Sequence, residues 1–331
     1  MTASVGTVVG SCALLLTSCT TPQASTDGGY SSHAATLDGV NRTWDVYTPE
    51  SGGSGRSDEA PLPVVLVIHG TGDTGAGIRS GIGRDLERLA DRDGFIVAYV
   101  DGYANNWNEC RAAGDWPAKQ QDLDDVGLMR HVVETIHGDS GDSGDSDASD
   151  VAAPVYAIGY SSGAHMAQRL AYEAPDLVSA VASVNGNVPT DDNFTCSDEH
   201  QPVPILFLQG REDPINPFDG GEVVLGSGAN AVSRGNVRSA EDSAEWFAQR
   251  NGIADTGSPT TVQDGDAKVT TWGDASGITP GGSPDDSTVR LIAVDHSGHS
   301  FPTSTGNWGN SGGARYDGPG AIWDFFKSAT S

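Results

Sequence analysis

The stretch Val155-Tyr156-Ala157-Ile158, short, apolar and β-prone, runs directly into Gly159-Tyr160-Ser161-Ser162-Gly163. Behind it comes Ala164-His165-Met166-Ala167-Gln168-Arg169-Leu170-Ala171, a good helix former. Strand, G-x-S-x-G, helix is the context in which this pentapeptide builds a nucleophile elbow. The glycines leave room for a sharp turn that holds the serine backbone in a strained conformation. The hydroxyl is thereby pushed out at the C-terminal edge of a sheet. A lone G-x-S-x-G means little in a chain with 44 glycines, where a Gly/Ser turn arises by coincidence. The flanking segments make Ser161 the candidate nucleophile.

The 331 residues suffice for one large α/β domain or two small ones, and 37% hydrophobic content suffices for a core. No internal segment is long and apolar enough to span a membrane. A net charge of −27 with only three lysines excludes nucleic acid and electrostatic binding to anionic lipid. The acidity fits a high-salt habitat or simply a secreted protein with GC-rich codons. Val8 to Leu16 is a modest apolar run ending in Leu16-Thr17-Ser18-Cys19, which resembles a bacterial lipobox. Residues 1–19 therefore read as a lipoprotein-type signal, with Cys19 as the lipidation site and residues 20–32 as a polar tether. No Lys or Arg precedes Arg42, so the usual basic n-region is missing. The expectation is a secreted protein anchored to the cell surface by lipid, the membrane being touched in no other way. Cys110 and Cys196 remain; in an oxidising compartment they most simply form one disulfide, the alternative being two buried thiols. No metal site and no cofactor are expected.

Strand and helix signals alternate along the rest of the chain. Ala34 to Tyr47 reads as a hairpin, Pro63 to Ile68 as a strand buried on both faces, and Arg84 to Arg92 as a helix. Phe95 to Val100 follows as a strand and Leu123 to His137 as a helix, ahead of the elbow. Beyond the elbow lie the apolar Leu177 to Val184, a buried strand at Ile205 to Leu208, and a helix at Ala240 to Asn251. Val269 to Trp272 and Val289 to Val294 read as strands, and Ala321 to Lys327 as a closing helix. The alternation predicts an α/β chain with a mostly parallel, doubly wound sheet, helices on both faces and a single domain over residues 33–328. Residues 138–150 repeat Gly-Asp-Ser and can bury nothing, which predicts a disordered acidic loop. A calcium loop is the sharper reading, but the EF-hand spacing and its closing Glu are absent.

An elbow serine is inert without a base and an orienting acid, which in α/β-hydrolases follow in the order Ser, Asp or Glu, His on loops after later strands. His165 lies on the elbow helix and reads as packed or as a pocket-rim residue; His200 precedes a strand rather than following one. His296 and His299 both follow Val289 to Val294. His299, in Ser297-Gly298-His299-Ser300-Phe301-Pro302, is the preferred base, with His296 as runner-up. The strand Ile205 to Leu208 runs into Gln209-Gly210-Arg211-Glu212-Asp213-Pro214, where Asp213 is the preferred acid over Glu212. Asp191, Asp192 and Asp198 precede that strand, and Asp219 lies further into the loop. Two backbone N–H groups are needed for the oxyanion: those of Ser162 and of Thr71, in His69-Gly70-Thr71-Gly72 after Pro63 to Ile68.

With these residues in place the chain resembles the bacterial secreted esterases grouped as polyhydroxybutyrate depolymerase-like and feruloyl esterase-like proteins (carbohydrate esterase family one). The likeness covers roughly Leu37 to Phe326. Its markers are Arg42 with Tyr47-Thr48-Pro49, His69-Gly70, Tyr99-Val100-Asp101-Gly102, Trp107-Asn108-Glu109-Cys110 and Asp124-Asp125-Val126-Gly127. The elbow with Met166-Ala167, the Gln209 to Asp213 turn and Gly298 to Pro302 complete them. The resemblance implies Ser161 as nucleophile, Asp213 as acid, His299 as base, and a Cys110–Cys196 disulfide. The family usually has Trp where Phe301 stands and His-Gly where Gln209-Gly210 stands, and it lacks the acidic insert.

The expected reaction is hydrolysis of a carboxylic ester through an acyl-enzyme, on feruloyl or acetyl esters of plant polysaccharide or on short polyhydroxyalkanoates. Trp107, Tyr160, Phe301 and Trp308 are the aromatics expected on loops near the substrate, the alternative for each being that it caps the core. The partner is the ester alone, met by a monomer. A peptidase or acyltransferase with the same triad, and a non-catalytic binding lipoprotein, are the competing readings.

Overall fold

Val64–Ile68 and Ile96–Val100 carry no charged residue, and every side chain in both is buried. Such runs need a sheet covered on both faces. The computed structural model describes residues 29–49, 61–139, 153–253, 256, 258–273, 287–309 and 315–329, together with residue 1. Its strands are β1 (Tyr30–Leu37), β2 (Val40–Tyr47), β3 (Val64–Ile68), β4 (Ile96–Val100), β5 (Val155–Tyr160), β6 (Ala180–Val184) and β7 (Ile205–Gly210). There follow β8 (Gly221–Leu225), β9 (Val232–Val237), β10 (Thr260–Asp264), β11 (Ala267–Trp272), β12 (Val289–Val294), β13 (Ser300–Thr303) and β14 (Gly306–Gly309).

Ten of them form one sheet in the order β1-β2-β4-β3-β5-β6-β7-β12-β11-β10. Every neighbouring pair from β4 to β12 is parallel. The two strands at each edge join antiparallel. The helices are α1 (Gly75–Ile78), α2 (Arg84–Asp93), α3 (Pro117–Gln120), α4 (Asp125–Asp139), α5 (Ser162–Glu173), α6 (Ala240–Arg250) and α7 (Gly318–Ala329).

The period of two along β3 divides the core. Val64, Leu66 and Ile68 face one side, where α4, α5 and α6 bring Leu128, Met166 and Phe247. Val65 and Val67 face the other, where α2 and α7 bring Leu86, Leu89, Ile322 and Phe326. This is the expected α/β-hydrolase architecture, a parallel sheet wound on both faces.

Three features differ from the sequence reading. β1 begins at Tyr30, inside the stretch assigned to the tether: Tyr30 pairs with Tyr47 across the hairpin, and their rings lie 4.9 Å apart. The hairpins β8–β9 and β13–β14 and the edge strand β10 carried no signal. All five residues of β10 are exposed, so no burial shaped their sequence. Gly138 and Asp139 close α4 rather than opening a loop. The remainder of the acidic insert, the signal segment with Cys19, and residues 20–28 of the tether lie outside the described residues.

Candidate active site

Ser161 stands between β5 and α5 with φ 56° and ψ −117°, a backbone conformation that costs free energy for any residue with a Cβ. The surroundings enforce it. A Cβ on Gly159 would lie 2.0 Å from the Gly163 carbonyl oxygen, and one on Gly163 would lie 2.1 Å from that of Ile68. Only glycine lets strand, turn and helix pack this closely. The Ser161 N–H donates to Val184 O at the end of β6, 2.9 Å away.

His299 Nε2 lies 3.0 Å from Ser161 Oγ, and its Nδ1 lies 2.7 Å from Asp213 Oδ2. The carboxylate is held in turn, because Asp213 Oδ1 accepts from the N–H groups of Ile215 at 2.8 Å and Asn216 at 2.9 Å. With Nδ1–H donating to Asp213, Nε2 is left to accept the serine proton. Asp213 is 6% exposed and His299 also 6%, so water competes little for either. The three side chains chosen from the sequence are therefore within hydrogen-bonding reach of one another. The two runners-up pair instead with each other: His296 Nδ1 and Glu212 Oε1 lie 3.0 Å apart, both exposed. Asp198 and Asp191 are engaged by Arg250 and Arg238, and His200 is exposed beside Asp198. His165 is buried on α5, where burial pushes its imidazole well below the usual histidine range. It is a packed neutral residue.

Ser162 opens α5, so its N–H is among those a helix leaves unbonded by its own carbonyls. Thr71 lies in the β3–α1 loop, which is drawn onto the elbow at Gly70. A Cβ there would lie 3.2 Å from Ser161 Cβ. The next peptide is fixed by Gly72 N–H donating to Asn105 O at 2.8 Å. His69 secures the base of the loop. Its Nε2 accepts from Gly102 N–H at 2.9 Å, its Nδ1 lies 2.7 Å from Gly70 O, and its carbonyl accepts from Trp107 Nε1–H at 2.8 Å. Those partners require the tautomer protonated on Nδ1, and burial holds the imidazole below its usual range.

The aromatics need correction. Trp107 and Phe301 are both 0% exposed: the first lies under His69, the second in the core facing α7, so neither ring is open to a ligand. Tyr160 is 7% exposed, and its hydroxyl donates to His299 O at 2.9 Å. Trp308 alone of the four is half-buried, its ring 5.2 Å from that of Tyr160.

Two further markers are structural. Cys110 and Cys196 form a disulfide. Arg42 Nη2 meets Asp125 Oδ1 at 2.5 Å, both buried, tying β2 to the start of α4. The sequence reading passed over Asn185, which follows β6 with φ 51° and lies 1% exposed between the acid and base loops. The Asn-Gly pair after an apolar run was the available signal.

The profile of the dienelactone hydrolase family matches residues 52–225. "Putative esterase NocK" of Nocardia uniformis subsp. tsuyamanensis is 36% identical over 159 residues, 48% of this chain and 42% of that protein. The chain thus spans less than half the length of that curated relative. Among solved structures, acetyl xylan esterase from Aspergillus awamori superposes with a TM-score of 0.54 at 15% identity. That match covers 90% of this chain and 99% of the other. At that identity the likeness is one of fold.

Proposed function

The chain belongs to the dienelactone hydrolase family, and from that premise we propose that it is a serine carboxylic ester hydrolase working through Ser161, His299 and Asp213. The observation that carries this reading is the continuous contact from Ser161 Oγ through His299 to Asp213, at 3.0 and 2.7 Å. His299 Nε2 takes the serine proton as Oγ attacks the ester carbonyl, and Asp213 stabilises the imidazolium that forms. Negative charge on the carbonyl oxygen develops against the N–H groups of Thr71 and Ser162, the latter at a helix N-terminus. His299 returns the proton to the leaving alcohol. It then activates water to hydrolyse the acyl-serine.

The substrates proposed are acetyl or hydroxycinnamoyl esters of plant polysaccharide. Trp308, half-buried beside Tyr160, offers the stacking face. Hydrolysis of p-nitrophenyl acetate by the wild type and by Ser161→Ala tests the reaction. Activity must vanish with the hydroxyl, and turnover that survives the substitution refutes the assignment. Initial rates on acetylated xylan, methyl ferulate and hydroxybutyrate oligomers then rank the esters, and a preference for the oligomers would replace the polysaccharide reading.

We place the protein outside the cytoplasm, anchored through a lipid on Cys19. Among the described residues no helix is long and apolar enough to cross a membrane. Release of Cys19→Ala into the medium, with retention of the wild type on cells, is the expected result.

A further inference from the structure

The end of β6 touches all three chain segments that bear the reacting groups. Val184 O accepts the N–H of Ser161 at 2.9 Å. The next residue, Asn185, reaches the other two with one side chain. Its Oδ1 accepts from the Gly210 N–H at 3.0 Å, where β7 gives way to the turn bearing Asp213. Its Nδ2 donates to the Ser300 carbonyl at 2.6 Å, one residue past His299.

We propose that Asn185 is a positioning residue that sets the acid and base loops against each other. This proposal rests on the reading of the site as a Ser-His-Asp hydrolase. The side chain suits the task chemically. A carboxamide carries one acceptor and one donor group in a rigid plane, and here it faces one N–H and one C=O. Aspartate supplies only the acceptor, and an apolar side chain neither. The left-handed backbone at φ 51° narrows the choice further, since Asn tolerates it better than most residues with a side chain. The residue is 1% exposed, so both bonds are shielded from water, and either partner left alone would be an unsatisfied buried group. Tyr160 Oη grips the preceding carbonyl, that of His299, at 2.9 Å. The imidazole is therefore braced at two successive peptides. Glu212 N–H donating to Ser297 O at 2.9 Å joins the acid and base loops through backbone, and Asn185 joins them again through a buried side chain.

Asn185→Asp keeps the acceptor for Gly210 and loses the donor for Ser300. Asn185→Gly removes both bonds while favouring the same backbone. The measurements are kcat and KM on p-nitrophenyl acetate, and the proton resonance of His299 Nδ1–H. We expect kcat to fall on the order of 10- to 100-fold in each folded variant, as for reacting groups displaced by a fraction of an ångström. KM should stay within about twofold, and the Nδ1–H resonance should shift or broaden. A folded variant whose kcat stays within about twofold of wild type and whose resonance is unmoved overturns the proposal. If Asn185→Asp does not fold, the glycine variant decides. The resonance separates this idea from the esterase reading. A wild type with no Ser161-dependent turnover refutes that reading, while an imidazole signal that responds to Asn185→Gly still supports the tie and an unresponsive one overturns it.

Discussion

Reducing the Cys110–Cys196 disulfide should lower stability by an amount that follows from where it closes the chain. The two cysteines are 86 residues apart. Closing a loop of that length removes denatured-state entropy equivalent to about 4.6 kcal/mol at 25 °C in the chain-entropy model. Unfolding entropy of about 2.1 cal/mol/K per residue over the roughly 300 residues of the domain converts this to a Tm decrease of about 7 °C. The same bond secures the loop beneath the elbow. Trp107, three residues before Cys110, donates to His69 O, and Thr195 N–H donates to Cys110 O at 2.9 Å beside the second cysteine. Calorimetric melting of the oxidised wild type, the fully reduced wild type and Cys110→Ser/Cys196→Ser provides the assay, with thiol titration confirming reduction. The last two should melt together, about 7 °C below the first. A decrease under about 2 °C in a protein with two titrated thiols would refute loop closure as the source of the stabilisation.

Other substitutions probe separate contacts. Arg42→Met leaves the Asp125 carboxylate buried without its partner and should cost about 3–5 kcal/mol in urea unfolding, with recovery when Asp125→Leu is added. Tyr160→Phe deletes the bond to His299 O but keeps the ring, so stability should fall by about 1 kcal/mol. In that variant kcat should fall while KM holds. His69 is held neutral by burial, its folded pKa below the unfolded value near 6.5. The unfolded state therefore binds more protons between those two values, and stability falls as pH drops through 6.5. Urea midpoints from pH 7.5 to pH 5 should decline, and less steeply in His69→Gln; equal slopes would contradict the assignment.

Strands β3 to β7 were legible because they are buried on both faces and so lack charge. The triad was legible because chain order and strand ends leave few residues eligible. Glu212 and His296 show why position within a turn mattered: each is one to three residues from the chosen group, yet they point to solvent and meet each other. The aromatics were misjudged because Trp107 and Phe301 occupy loop or strand-end positions, where sequence does not distinguish a ring lying beneath the site from one lining it. Asn185 was missed for a related reason. Its value lies in two bonds to segments distant in sequence, and a single asparagine after a strand carries no trace of either partner. The β8–β9 hairpin and β10 were missed because their side chains mostly face solvent, which leaves β-sheet periodicity unmarked.

The path of the chain through β5 separates two kinds of sequence freedom. It enters the strand at Val155 and reaches Ser161 just after the strand's last residue, about 20 Å further on at 3.3 Å per residue. Val155 stands at the end of the strand opposite the hydroxyl, so a peptide tag grafted just before it should spare turnover. Lengthening the chain just past Ser161 has no such tolerance, because α5 begins at the very next residue.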